Sequence, residues 1–135
     1  MFESETASFL NREISVLMGG WSTEREISIK TGNEVFKSLK DQGLDVKGVD
    51  LVSEDHALEV IESLDLAFIA LHGKGGEDGF IQKLLEDQGI QFTGSSSEAC
   101  KISINKCETK KVWRDLGLPT PDFVEIKKAG SKMTE

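Results

Sequence analysis

Two glycine-containing loops carry the side chains of this sequence that are best suited to chemistry. In the first loop, Glu24 follows a pair of glycines. In the second, His72 is followed by four glycines within residues 73–79, and Glu77 lies among them. An imidazole can shuttle a proton near neutral pH or donate to a carboxylate, and a carboxylate can hold an ammonium group. The two loops together predict a site for a small polar ligand.

Each loop lies between a short apolar strand and an amphipathic helix, and these elements must position it. The unbroken apolar run Ala67–Leu71 is typical of a strand buried on both faces. After the loop, apolar residues return at helical spacing from Phe80. In open parallel sheets, ligands bind at the carboxyl ends of the strands, where helix N-termini present unpaired N–H groups. We therefore expect both loops at one edge of a sheet.

The remaining pattern alternates strands and helices, which predicts an α/β fold: a doubly wound, mostly parallel, Rossmann-like sheet flanked by helices. Capping boxes are expected at Thr23 with Glu26, or a cap at Ser22, and at Ser95 with Glu98. The predicted strands are 14–18, 44–51, 67–71, 90–93 and 122–126. The predicted helices begin near residue 23, span 58–64 and 80–89, and cover 99–116 with an interruption around 103–105.

Composition restricts the classes of function. The 135 residues carry a net charge of −8, which argues against nucleic-acid and anionic-membrane surfaces. No apolar run approaches the roughly 20 residues of a membrane span, and Met1–Arg12 lacks the pattern of a secretory signal. Cys100 and Cys107 are expected to be reduced thiols of a cytoplasmic protein, and two cysteines alone do not predict a metal site.

Each candidate residue also has a purely structural interpretation. Glycine-rich loops can serve only as tight turns, and a lone histidine such as His72 is often structural. The helix dipole by itself favours an acid at the position of Glu24, and Glu77 either orients His72 or simply starts the next helix. Lys106 belongs to a cluster that for the most part suggests a solvated helix face. That cluster also contains Lys101, Lys110 and Lys111.

The two loops also carry a family resemblance. Residues 16–28, Val-Leu-Met-Gly-Gly-Trp-Ser-Thr-Glu-Arg-Glu-Ile-Ser, resemble the opening of bacterial D-alanine–D-alanine ligases. Residues 71–79, Leu-His-Gly-Lys-Gly-Gly-Glu-Asp-Gly, resemble the second signature of that family. The match continues in order through 92–95, 105–113 and 117–119, and covers about 13–125. At the position of Lys83 the family usually has a small residue. We expect this lysine to lie on a helix surface.

The resemblance implies an activity and a role for each site residue. In the family, ATP phosphorylates the carboxylate of one D-alanine, and the amine of a second D-alanine attacks the acyl phosphate to form a peptidoglycan precursor. By resemblance, Glu24 holds the ammonium group of the first D-alanine and Ile27 lies against its methyl group. His72 lies near its carboxylate with support from Glu77, and Lys106 contacts an ATP phosphate. Glu24 and His72 are the implied catalytic residues.

The resemblance also implies a domain organisation, because family members are considerably longer than this chain. We expect residues 1–12 to be a tail, 13–104 a substrate-binding pre-ATP-grasp domain, and 105–135 a linker helix with the start of a truncated ATP-grasp region. The missing part would hold most ATP contacts and the ligands of Mg²⁺ or Mn²⁺. This chain alone is then expected to be inactive, and the whole ligase to be a cytoplasmic homodimer.

One alternative and one question remain open. A complete sheet fits within residues 13–126, so the chain could instead be a stand-alone, non-catalytic module that binds a small ligand. Within the ligase interpretation, the sequence does not distinguish D-alanine, D-lactate and D-serine as the second substrate.

Overall fold

The computed structural model describes residues 11–126, where strands and helices alternate. The strands are Ile14–Gly19 (β1), Val46–Leu51 (β2), Leu66–Ile69 (β3) and Gln91–Phe92 (β4). The helices are Arg25–Asp41 (α1), Glu54–Ile61 (α2), Phe80–Asp87 (α3), Ser97–Ile104 (α4) and Lys106–Asp115 (α5).

The four strands form one parallel sheet in the order β2-β1-β3-β4. The central strand β1 is buried along its whole length, and its side chains alternate between the two faces. Val16 and Met18 pack in the cluster that contains apolar residues of α1, whereas Leu17 packs with those of α2 and α3. Helices therefore cover both faces, which confirms the predicted doubly wound sheet.

The chain order creates a switch point between β1 and β3. From β1 the chain moves outward to β2, and from β3 it moves outward to β4 on the opposite side. The loops that leave the carboxyl ends of β1 and β3 are therefore neighbours, and their helices lie on opposite faces. A crevice at such a point is where open α/β sheets bind ligands.

Both predicted capping boxes are wrong by one residue. The N-cap of α1 is Glu24, without a side-chain cap, and the N-cap of α4 is Ser96, whose hydroxyl accepts from the N–H of Ala99. Neither Thr23 nor the alternative, Ser22, is the N-cap of α1, although the hydroxyl of Ser22 accepts from the N–H of Glu24 in the turn that precedes the helix.

The predicted fifth strand at 122–126 is also wrong. Val124 and Ile126 are 87% and 92% exposed, and no strand pairs with β4 on its outer edge within the described residues. The segment instead lies against α5, where the Phe123 ring contacts the cationic groups of Lys110 and Arg114 at 5.3 and 4.9 Å. A strand needs a hydrogen-bonded neighbour, and α5 provides only side-chain contacts.

The interruption expected around residues 103–105 is present, because Asn105 separates α4 from α5 and caps α5 with its side chain. Residues 1–10 of the predicted tail and residues 127–135 of the predicted ATP-grasp start lie outside the described part of the chain. Arg12 is described, and its guanidinium group contacts Asp65 and the side chain of Gln91.

Candidate functional site

The loops that follow β1 and β3 contact each other directly. The hydroxyl of Ser22 donates a 2.7 Å hydrogen bond to the carbonyl oxygen of His72. Gly73 has a φ of +69°, and a Cβ atom added there would overlap Oε2 of Glu24. The carboxylate of Glu24 therefore lies beside the backbone that carries the imidazole of His72, as the parallel-sheet argument predicted.

The second loop is closed by its own aspartate. The carboxylate of Asp78 accepts from the N–H of Gly75 at 3.0 Å and from the N–H of Phe80 at 3.1 Å. Trp21 from the first loop makes a perpendicular ring contact with Phe80, with 5.6 Å between centroids, and lies against the Cα of Gly75. Any larger residue at position 75 would collide with the indole, so glycine there brings the two loops together.

The imidazole of His72 is held between two elements. Its Nδ1 lies 3.4 Å from Oε1 of Glu77, and its Nε2 lies 3.1 Å from the hydroxyl of Thr31 on α1. The Thr31 hydroxyl also lies 3.0 Å from the carbonyl oxygen of Ile27. The side chain of His72 is 32% exposed, so the ring is fixed at both nitrogens and still reaches the surface.

One face of α1 presents further groups to this edge. Glu24, Ile27 and Thr31 are spaced at i, i+3 and i+7, which places them on one side of a helix. Ile27 is 56% exposed, an apolar surface close to an anionic group. The structure thus brings together Glu24, Ile27, His72 and Glu77, all of which were candidates from the sequence.

Ser28 is a positioning residue that the sequence analysis missed. It is fully buried, and its hydroxyl accepts from the N–H of Gly19 at 2.9 Å and donates to the carbonyl oxygen of Ala70 at 2.8 Å. One side chain thereby joins α1 to the carboxyl ends of both β1 and β3. A serine on the apolar side of an amphipathic helix was the available signal, because buried hydroxyls need partners.

Arg25 is a second residue that the sequence analysis did not single out. Its Nη1 donates to the carbonyl oxygens of Gly20 and Leu51, both at 3.1 Å, and its Nη2 pairs with Asp50 at 2.7 Å. The hydrogen bond to Asp50 raises the pKa of the Arg25 guanidinium. Through these contacts, Arg25 fastens the first loop to the end of β2.

Lys106 is the one candidate that the structure does not join to the others. It is exposed and begins α5, and no hydrogen bond or ion pair connects it to Glu24, His72 or Glu77, all within the described residues. Two other lysines of the cluster have local partners: Lys110 bonds to Thr120, and Lys111 pairs with Glu108.

The edge of the sheet is concave beyond Glu77. A groove of about 440 Å³ continues there along the ends of β3 and β4. Its lining includes Thr93, Ser103 and Cys100. Cys100 and Cys107 are both free thiols.

Two negative findings apply to residues 11–126. No three or more histidine, cysteine, aspartate or glutamate side chains are grouped so that they could hold a metal ion. In the same part of the chain, every helix is too short or too polar to cross a bilayer.

Known protein sequences are similar to this chain over most of its length. A family model described as the D-ala D-ala ligase N-terminus matches residues 51–95. The D-alanine–D-alanine ligase of Hydrogenovibrio crunogenus is 42% identical over 114 residues, which are 84% of this chain and 36% of that protein. The ligase of Alkalilimnicola ehrlichii is 48% identical over 118 residues, 87% of this chain and 37% of that protein. The chain belongs to the D-alanine–D-alanine ligase family.

Solved structures of the family agree with this placement. A crystal structure of the D-alanine–D-alanine ligase from Bacillus anthracis, complexed with ATP, superposes with a TM-score of 0.81 at 37% identity. The superposition covers 90% of this chain and 40% of that ligase. The chain spans about a third of the length of its curated relatives, and it corresponds to the N-terminal domain of a D-alanine–D-alanine ligase.

Proposed function

We propose that this chain forms the first-substrate half of the active site of an ATP-dependent D-alanine–D-alanine ligase of peptidoglycan synthesis. The observation that carries the proposal is the contact between the two loops, which sets the carboxylate of Glu24 beside the backbone of His72 at the switch point. An amino acid has one cationic and one anionic group. Glu24 and His72 offer complementary groups within one loop contact.

In the proposed complex, each side chain meets one part of the first D-alanine. Glu24 accepts the ammonium group, because a carboxylate is the natural partner of a primary ammonium ion. The exposed side chain of Ile27 covers the methyl group. His72, held by Glu77, lies near the carboxylate that becomes phosphorylated. A fixed imidazole requires little reorganisation as negative charge moves from that carboxylate toward the transferring phosphoryl group.

ATP supplies the phosphoryl group that activates this carboxylate, and the amine of the second D-alanine then attacks the acyl phosphate. We assign Lys106 to a phosphate of ATP, because it is an exposed cation at the N-terminus of α5, an end that favours anions. We place the ligands of Mg²⁺ or Mn²⁺ elsewhere in the ligase, since no fitting group occurs in residues 11–126. The proposal also includes a cytoplasmic homodimer completed by an ATP-grasp domain.

A charge-neutral substitution in the full-length ligase tests the assignment of Glu24. We expect Glu24→Gln to lower kcat/KM for the first D-alanine by roughly 10- to 100-fold, the effect of losing one charged hydrogen bond, and to leave the KM for ATP nearly unchanged. Glu26→Gln is the matched control, because Glu26 is exposed and lies in the same first turn of α1. Equal D-alanine kinetics for the two variants would refute the role of Glu24.

The 135-residue chain itself gives a second test. We expect no ATP-dependent D-alanyl-D-alanine formation by the purified chain, because the proposed ATP and metal contacts are incomplete. Calorimetry with D-alanine and with ATP measures whether it still binds either one. Dipeptide synthesis by this chain would contradict the proposed division of the active site. A chain that binds D-alanine in calorimetry, together with unchanged D-alanine kinetics for Glu24→Gln in the ligase, would favour a stand-alone binding module.

A further inference from the structure

Two polar groups contact the nitrogens of the His72 ring, and they differ in whether they can donate a hydrogen bond. The carboxylate of Glu77 faces Nδ1 at 3.4 Å, and an ionised carboxylate can only accept. The hydroxyl of Thr31 faces Nε2 at 3.1 Å, and a hydroxyl can either donate or accept. Thr31 has a second partner, the carbonyl oxygen of Ile27 at 3.0 Å, which can only accept.

These capacities define one arrangement for each protonation state of the ring. In the doubly protonated ring, Nδ1–H donates to Glu77 and Nε2–H donates to Thr31, whose own proton points to the carbonyl of Ile27. In the neutral ring, the carboxylate of Glu77 keeps the single ring proton on Nδ1. With the proton on Nε2, the lone pair of Nδ1 would face the negative carboxylate and repel it. Nε2 then needs a donor, and Thr31 supplies one by turning its proton away from Ile27.

We propose that Thr31 is a positioning residue for His72: its hydroxyl, which can accept from Nε2–H or donate to Nε2, holds the ring in one orientation in both protonation states, while Glu77 selects the Nδ1–H tautomer of the neutral ring. Its contribution to ligation rests on the proposed function. Because both ring nitrogens are engaged inside the chain, the ring is held in one orientation and has no free N–H for a ligand. It acts on the substrate carboxylate through the charge of the doubly protonated ring, and its fixed orientation lowers the reorganisation needed for the reaction.

The tautomer of each histidine can be measured directly on the ¹⁵N-labelled chain. Long-range ¹H–¹⁵N correlation spectra distinguish Nδ1–H from Nε2–H, and the chain has two histidines, His56 and His72. His56 is an internal reference, since its Nδ1 accepts from the N–H of Val52 at 3.4 Å and its neutral ring should be Nε2–H. At about pH 8.5, above the ordinary histidine range, we expect the opposite tautomer, Nδ1–H, for His72.

Substitutions of Thr31 separate positioning from general packing. Thr31→Val keeps the shape and removes the hydroxyl that holds Nε2, and we expect the His72 ring to lose its fixed orientation, measured as a severalfold weakening of the nuclear Overhauser contacts between the ring and α1. Thr31→Ala should give the same loss if valine disturbs α1. Thr31→Ser retains the hydroxyl and should restore the contacts to near those of the original chain. The tautomer of His72, which Glu77 sets, and the His56 ring should be unaffected throughout.

Two outcomes would overturn the proposal: a predominant Nε2–H tautomer of His72 in the unsubstituted chain, or contacts between the ring and α1 that neither valine nor alanine weakens. In the full-length ligase, Thr31→Val should lower kcat/KM for D-alanine several-fold and leave the KM for ATP unchanged. Should the ring lose its orientation without this kinetic effect, the positioning role stands, and the proposed contribution of His72 to ligation is refuted.

Discussion

The backbone at Gly73 passes so close to the carboxylate of Glu24 that a single added Cβ atom would overlap Oε2 of that side chain. The same Cβ atom would lie 3.1 Å from the hydroxyl of Ser22. Glycine at this position is therefore needed for two reasons: its φ of +69° and the space that the glutamate occupies. These two requirements can be separated experimentally.

Alanine at Gly73 should destabilise the chain more than alanine at Gly43. Gly43 has a similar φ of +79°, but no atom lies within 4 Å of an added Cβ. Strain in the left-handed region costs about 1–2 kcal/mol, and we expect Gly73→Ala to exceed the cost of Gly43→Ala by roughly a further 1 kcal/mol from overpacking. Urea unfolding of both variants measures the difference in free energy. Equal values would mean that the Glu24 side chain moves aside freely.

Ser28→Ala should be strongly destabilising although it removes only one oxygen atom. Both the N–H of Gly19 and the carbonyl of Ala70 lose a buried partner. Unsatisfied buried groups cost about 1–3 kcal/mol each, so we expect a loss of roughly 3 kcal/mol in the free energy of unfolding. Ser38→Ala, on the exposed side of α1, is the control and should change stability by less than about 0.5 kcal/mol. A loss for Ser28→Ala as small as that of the control would contradict the bridging role.

The contact between Glu86 and Ser97 should make stability depend on acid pH. Glu86 accepts from the hydroxyl of Ser97 at 2.5 Å and from its N–H at 2.8 Å. These hydrogen bonds, the hydroxyl first, lower the pKa of Glu86 below its ordinary value of 4.5. A lowered pKa means that the stabilisation is present above the unfolded-state pKa and is lost as the pH falls through the folded-state pKa.

Unfolding free energies measured between pH 6 and pH 3 test this sign. The unsubstituted chain should lose more stability over that interval than Glu86→Gln, which has no carboxylate to protonate at this position. Parallel pH profiles for the two proteins would show that the contact with Ser97 adds nothing to stability.

The thiol of Cys100 should react slowly with alkylating reagents in the folded chain. Burial, followed by the charges of Glu86 and Asp78, raises the pKa of this thiol above its ordinary value of 9.0. A higher pKa leaves less thiolate at pH 8, and the thiolate is the reactive form. Iodoacetamide labelling of Cys107→Ser, which isolates Cys100, should be slower in native buffer than in urea. Equal rates would contradict the effect of burial.

The placement of Glu24 near His72 was predictable because it follows from a topological rule. Parallel strands on either side of a switch point deliver their loops to the same edge, whatever the side chains are. The apolar runs at β1 and β3 were enough to apply that rule. The hydrogen-bond partners of Ser28 and Thr31 were not predictable, since a hydroxyl can bond to its own helix or to another element, and only tertiary packing decides between them.

The wrong prediction of a strand at 122–126 also has its cause in tertiary packing. The pattern of Phe123, Val124 and Ile126 is typical of a strand, but a strand forms only beside a hydrogen-bonding neighbour. The cations of Lys110 and Arg114 attract the Phe123 ring to α5 instead. The proposed roles of all five site residues remain predictions, and so do the domain boundaries. These residues are Glu24, Ile27, His72, Glu77 and Lys106.

The turn at Gly43, between α1 and β2, lies at the amino end of the parallel sheet, opposite the two loops. Its surroundings are open. A fluorophore or a tether to a sensor surface attached there would therefore stand a full strand length away from Glu24 and His72. An attachment at this turn would leave the crevice between the two loops free. Position 43 is therefore a suitable labelling site for measurements of ligand binding to single molecules.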